Sequence, residues 1–77
     1  MKYWEEINSK LTREYSLSDF NSCVEFVNEI AKIAEELDHH PEILIHSFNK
    51  VKVSTYTFSE ERISDKDFVL CQRINEL

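Results

Sequence analysis

Residues 35–41 read Glu35-Glu36-Leu37-Asp38-His39-His40-Pro41, and the hydrophobic period changes on either side of them. Upstream, Phe20, Cys23, Val24, Val27, Ile30, Ala31, Ala34 and Leu37 recur at three- and four-residue spacing. That spacing makes one apolar face of a helix running to about Leu37, with Phe26 and Ile33 broadening the stripe. Asn21, Glu25, Asn28, Glu29, Lys32 and Glu36 fill the other side. Pro41 cannot continue a helix and biases His40 out of the helical region. Downstream the period becomes two. The chain therefore switches from helix to strand at a turn that carries two of its three histidines.

Working outward, Ile43-Leu44-Ile45-His46 is a short β-like run, and Ser47-Phe48-Asn49 has turn character. Lys50 to Thr57 is the clearest strand: Val51 and Val53 point to one face, and Lys52, Ser54 and Tyr56 to the other. Phe58 has the parity of the polar face. Ser59-Glu60-Glu61-Arg62 reads as a polar loop. Ser64 then caps a last helix whose first turn holds Asp65 and Asp67, suited to the positive end of the helix dipole. Phe68, Cys71, Ile74 and Leu77 form its expected apolar side. On the N-terminal side, Trp4–Ile7 and Leu11–Tyr15 form a hairpin around Asn8-Ser9-Lys10, with Leu11, Arg13 and Tyr15 on one face. Ser18 or Asp19 caps the long helix, and Phe20 and Phe26 are expected in the core. The order is β-β-α-β-β-α. This is an α+β fold: a four-stranded antiparallel sheet with two helices packed on one face, a single domain over residues 1–77.

The bulk composition excludes several functions. A net charge of −6 argues against direct binding to nucleic acid. Glycine is absent, which removes Gly-rich phosphate loops of the Walker and Rossmann kinds. No run is long and apolar enough to span a membrane, and no leader sequence is evident, so a cytoplasmic protein is expected. Cys23 and Cys71 fall inside helical apolar patterns and read as buried free thiols. A 77-residue core is marginal alone, so self-association is expected.

Imidazole exchanges protons near neutral pH more readily than any other side chain, which draws attention to His39 and His40. Glu35 and His39 are i, i+4 neighbours, so the carboxylate is expected to orient that ring. Histidines also suit a helix C-terminus for capping alone, and local reasoning leaves the two readings level. His39, His40 and His46 do not have an established zinc spacing, and no metal site is expected. Trp4 reads as a core or edge anchor, with stacking on a flat ligand as the alternative.

Glu35 followed by His39-His40-Pro41, then Phe48 and Asp67 at these spacings, resembles the pterin-4a-carbinolamine dehydratases (4a-hydroxytetrahydrobiopterin dehydratases). Trp4, Ser18-Asp19-Phe20, Ala34-Glu35, Leu37-Asp38, Asn49-Lys50-Val51 and Ser64 extend the likeness over nearly the whole chain. The resemblance implies a lyase that removes water from a 4a-hydroxytetrahydropterin to give the quinonoid dihydropterin. It implies no metal and no organic cofactor. In that reading His39 is an acid/base residue, and His40 binds the pterin and shares proton transfer. Glu35 orients the site, Thr57-Phe58-Ser59 form a second wall, and Pro41, Glu60 and Trp4 complete the substrate contacts. The resemblance also implies homodimers or homotetramers, and it includes members that act as protein-binding dimerisation or assembly factors. Three departures stand out. Phe58 occupies the position of a third histidine, Arg62-Ile63 replaces a glycine-leucine pair, and one residue is inserted between Pro41 and Asn49. His46 is the other imidazole that could compensate, if its strand faces the site.

Overall fold

The computed structural model describes all 77 residues, Met1–Leu77. The elements are β1 (Glu5–Ile7), β2 (Lys10–Ser16), α1 (Phe20–Leu37), β3 (Glu42–His46), β4 (Lys50–Thr55) and α2 (Asp65–Asn75), with a single 3-10 turn at Phe58–Glu60. The sheet order is β1-β2-β4-β3 and every pair is antiparallel. The expected β-β-α-β-β-α order is the observed one. Trp4 lies just outside β1, and the segment expected as a loop after β4 contains the 3-10 turn, pinned by a bridge between Thr57 and Arg62.

Strand register sorts the two sheet faces. Leu11 lies opposite Thr55, Arg13 opposite Val53 and Tyr15 opposite Val51, while Ile43 and Ile45 flank the same two valines from β3. Directly opposed residues share a face, and this face carries both helices. Val51, Val53, Leu70 and Ile30 are fully buried there. The opposite face presents Lys10, Thr12, Glu14, Leu44, Lys52 and Ser54, with no helix over it.

Both helices are rotated slightly from the expected phase. In α1 the buried residues are Cys23, Ile30, Ile33 and Ala34, and Phe26 packs on Tyr15 with ring centroids 4.6 Å apart. Phe20 is 54 % exposed, contrary to expectation, while Cys23 in the same turn is fully buried: the inward side of that turn is the Cys23 side. In α2 the buried residues are Asp67, Leu70, Cys71 and Ile74, whereas Phe68 and Leu77 face solvent. A helix periodicity of 3.6 residues makes either stripe admissible. What selects the observed one is the partner set of Asp67.

The end of α1 is set by Asp38, whose backbone enters the left-handed region at φ 51° and ψ 43°. The amide of His39 then bonds back to the Ala34 carbonyl (3.1 Å) and that of Asp38 to Glu35 (3.3 Å), the paired hydrogen bonds of a Schellman motif. Aspartate tolerates this conformation better than most residues because its short polar side chain bonds locally. The consequence is that His39 and His40 leave the helical phase one residue after Leu37.

Candidate active site

Three segments converge beside the end of α1. Asp38, His39 and His40 come from the helix exit. Tyr56, Thr57, Phe58 and Ser59 come from the chain leaving β4. Lys66 comes from the first turn of α2. Together they line an open cavity of about 320 Å³.

Asp67 is the centre of this arrangement. It sits one turn into α2, completely buried, and Ser64 and Asp67 form a reciprocal capping box. Its Oδ1 accepts from Thr55 Oγ1 at 2.6 Å and from His39 Nε2 at 2.6 Å. Its Oδ2 accepts from Thr57 Oγ1 at 2.6 Å and from the Ser64 amide at 2.9 Å. Burial alone pushes this carboxyl upward. The hydrogen bonds from Thr55, Thr57, His39 and the Ser64 amide outweigh it and hold the group below the usual carboxylate range. An acceptor-only carboxylate requires the proton of the His39–Asp67 contact to sit on Nε2. That fixes the imidazole's tautomer and orientation, leaving Nδ1 as its other exchange site. The His39 side chain is only 13 % exposed.

The partner of His39 is therefore Asp67, not the expected Glu35. Glu35 pairs instead with His40 Nε2, at a solvent-exposed position. The left-handed residue at Asp38 explains the exchange. It breaks the i, i+4 alignment of Glu35 with His39, turns His39 inward beneath α2, and lets His40 fold back over the last turn of α1. The Glu35–His40 pair is open to solvent and weakly stabilising, whereas in the His39–Asp67 pair the carboxylate is fully buried and the imidazole largely so.

The remaining expected residues divide. Phe58 and Ser59 line the cavity, and the exposed Phe58 ring meets Tyr56 edge-on at 5.1 Å. Thr57 also lines it, but its hydroxyl is committed to Asp67 and accepts from Ser64 at 2.7 Å, so it acts as a buttress. Glu60 is paired with Arg62 at 2.8 Å, away from the lining, and Pro41 shapes the helix exit without lining the cavity. Trp4 is buried, and its indole N–H donates to Asn75 Oδ1 at 2.8 Å. Asn75 ends α2, roughly 12 Å along the axis from Asp67 at the helical rise per residue, so Trp4 is a core anchor and not a wall of this cavity. Arg13 donates to the same oxygen and lies between the rings of Tyr3 and Tyr15.

His46 does not line the cavity. It stands on the uncovered sheet face at the far end of β3, bonded to Glu14 at 2.5 Å. Its three-imidazole grouping with His39 and His40 does not form. Cys23 and Cys71 are buried and free. Burial, with the nearby Asp67 carboxylate, pushes the Cys71 thiol up to about 12, so it offers no thiolate nucleophile.

Sequence reasoning counts Asp67 in the resemblance without giving it a role, and does not reach Tyr56 or Lys66. Asp67 was legible in part: it falls at i−3 and i−4 from the buried Leu70 and Cys71, which marks the inner side of α2.

The fold and site together define a small α+β domain that presents a carboxylate-oriented histidine to an aromatic-walled cavity. Comparison with known proteins carries this further. The family model described as Pterin 4 alpha carbinolamine dehydratase matches residues 1–77, and the chain belongs to that family. A Sulfolobus acidocaldarius protein provisionally named pterin-4-alpha-carbinolamine dehydratase is 38% identical over 74 residues, covering 96% of this chain and 80% of its own length. A Metallosphaera sedula protein of the same provisional name is 34% identical over 77 residues, covering 100% of this chain and 79% of its own. Among solved structures, a transcriptional coactivator/pterin dehydratase from Brucella melitensis superposes with a TM-score of 0.89 at 29% identity, over 99% of this chain and 82% of that one. A pterin dehydratase-like protein identified as a RuBisCO assembly factor in the alpha-carboxysome shares the fold, with a TM-score of 0.77 at 16% identity, over 95% of this chain and 86% of that one. No helix is long and apolar enough to cross a membrane.

Proposed function

We propose that this protein dehydrates a 4a-hydroxytetrahydropterin to the quinonoid dihydropterin and water. The observation that carries the reading is the pairing of His39 with the buried Asp67 at a cavity that His39 and Phe58 both line. The reaction needs a proton delivered to the departing hydroxyl and another removed from a ring nitrogen. His39, held by Asp67 through Nε2, exchanges a proton through Nδ1. His40, on the exposed rim with Glu35, binds the pterin and takes part in the second transfer. Such positioned acid–base groups contribute ~10²–10⁴-fold in rate. Phe58 supplies a face for stacking on the ring but no proton. No metal or organic cofactor enters this scheme.

Turnover of chemically generated carbinolamine, followed spectroscopically, tests it. His39→Ala is expected to lower the rate ~10²-fold or more, and His40→Ala to lower it less. Wild-type rates in both variants would refute the assignment.

Phe58 at the position of the third histidine motivates a second reading, in which the fold is kept as a protein-binding dimerisation or assembly factor. Stoichiometric capture of a protein partner without any pterin turnover supports it. Turnover gained by Phe58→His supports an intact pterin pocket instead.

A further inference from the structure

The cavity described above does not end at His39. A second hollow of about 280 Å³ adjoins it at that residue, between the C-terminus of α1 and the first turns of α2, lined by Leu37, His39, Asp65, Lys66 and Val69. The two hollows have His39 and Lys66 in common. Val69 is 48 % exposed, and the Lys66 side chain takes part in no ion pair.

We infer that the second hollow is a subsite for an extended, apolar 6-substituent of the pterin, an aryl or alkyl group that passes between His39 and Lys66 to rest on Leu37 and Val69. The inference rests on the pterin reading of the first cavity and adds to it which pterins are preferred. The covalent structure of the substrate supplies the link. The leaving hydroxyl is on C4a, N5 follows, and C6 follows N5. If His39 addresses the hydroxyl or N5, the substituent on C6 starts beside His39, and the hollow that shares His39 and Lys66 is the adjoining space.

The lining also selects the chemistry of the substituent. Leu37 and Val69 offer apolar surface. Lys66 offers one ammonium, suited to a single hydroxyl, carbonyl or carboxylate where the substituent crosses. Asp65 in the hollow, Asp38 in the first cavity and the net charge of −6 disfavour a polyphosphorylated tail.

Calorimetric titration of the full-length protein with 6-methylpterin and 6-phenylpterin, which are not turned over, tests the subsite. 6-Phenylpterin is expected to bind ~10-fold more tightly, in line with apolar area removed from water. Val69→Glu, at a half-exposed position outside the first cavity, is expected to abolish that gain while leaving 6-methylpterin affinity unchanged. Equal affinities for the two pterins in the wild type overturn the subsite and leave the first cavity's reading standing. A gain that survives Val69→Glu also overturns it. Absence of binding by either pterin overturns both. The wild-type comparison decides alone if Val69→Glu fails to fold.

Discussion

Asp67 joins stability and chemistry in one side chain. Four donors converge on its two oxygens, and one of them is the imidazole assigned to proton transfer. Asp67→Asn replaces one acceptor oxygen by an NH₂ group. Turned toward Thr57 and Ser64, that group meets the Ser64 amide, an obligate donor, and that buried hydrogen bond is lost; turned toward Thr55 and His39, it donates to them and drives His39 to the opposite tautomer. A loss of about 3 kcal/mol in unfolding free energy is expected, as for a buried charged hydrogen-bonding group. In an enzyme assay kcat is expected to fall ~10²-fold with little change in KM, because the carboxylate positions the acid–base residue without touching substrate. Equal losses in both constants would point to a purely structural role. The lowered carboxyl also has a pH signature. Since the folded group titrates below the unfolded one, its stabilisation is complete above the usual carboxylate range, about pH 4, and is lost as pH falls through the depressed folded value. Urea midpoints are therefore expected to be flat near neutrality and to drop below about pH 4. The drop should be shallower in Asp67→Asn. Asp19, also lowered by its Ser22 amide bond, is unchanged between the two proteins and cancels in the comparison.

At the scale of elements, strand parity and helix caps were legible in the sequence. Val51 and Val53 announce their face, and Ser64 and the pair Ser18-Asp19 announce the starts of the helices, Asp19 being the observed cap, because each depends only on neighbours within a turn. What was not legible depends on a dihedral or on a partner distant in sequence. Of the α2 stripe that periodicity puts at Phe68, Cys71, Ile74 and Leu77, Cys71 and Ile74 are buried, while the carboxylate of Asp67 joins them in place of Phe68 and Leu77. Its four donors come from β4, the segment after it, the α1 exit and the α2 cap. An uninterrupted helix would align Glu35 with His39, and the left-handed Asp38 interrupts it. That residue gives the element-scale prediction. A chain without glycine places seven other residues at positive φ, and Asp38 is the one that ends α1. Asp38→Gly is expected to stabilise the fold by ~0.5–1 kcal/mol, since glycine has no Cβ to crowd the following carbonyl. Thermal unfolding checks this, and a lowered midpoint would mean that the Asp38 side chain does more at the helix end than tolerate the turn. The His39–Asp67 pair should persist, because the Schellman bonds are made by the backbone.

The whole molecule has more apolar surface than its small core can use. Of 77 residues 16 are buried, and Leu44, Phe48, Phe58, Phe20 and Val69 are large side chains left open. One sheet edge is the three-residue β1; the other is β3, five residues long and paired only with β4. An unpaired edge of that length, carrying an exposed leucine at its midpoint, is a template for strand addition. Because β3 is antiparallel to a copy of itself under a two-fold axis, pairing centred on Leu44 brings the two Leu44 side chains together on the uncovered face. Lys52 stands opposite Leu44 on β4 and flanks that contact from each copy. Self-association of the 9.2 kDa chain into a dimer or a multiple of it is therefore expected, read as sedimentation mass. Leu44→Lys exchanges an apolar contact for two ammonium groups beside two more. It is expected to weaken the association ~10-fold or more, with the monomer's circular dichroism unchanged. A wild-type protein that sediments as a monomer at tens of micromolar would rule out the edge as an interface. A dimer indifferent to Leu44→Lys would move the interface to the exposed side chains of α1 and α2. None of the β3 residues Glu42–His46 lines the cavity between His39 and Phe58, so pairing through β3 takes no side chain from it. Turnover per chain is accordingly expected to be the same for wild type and Leu44→Lys.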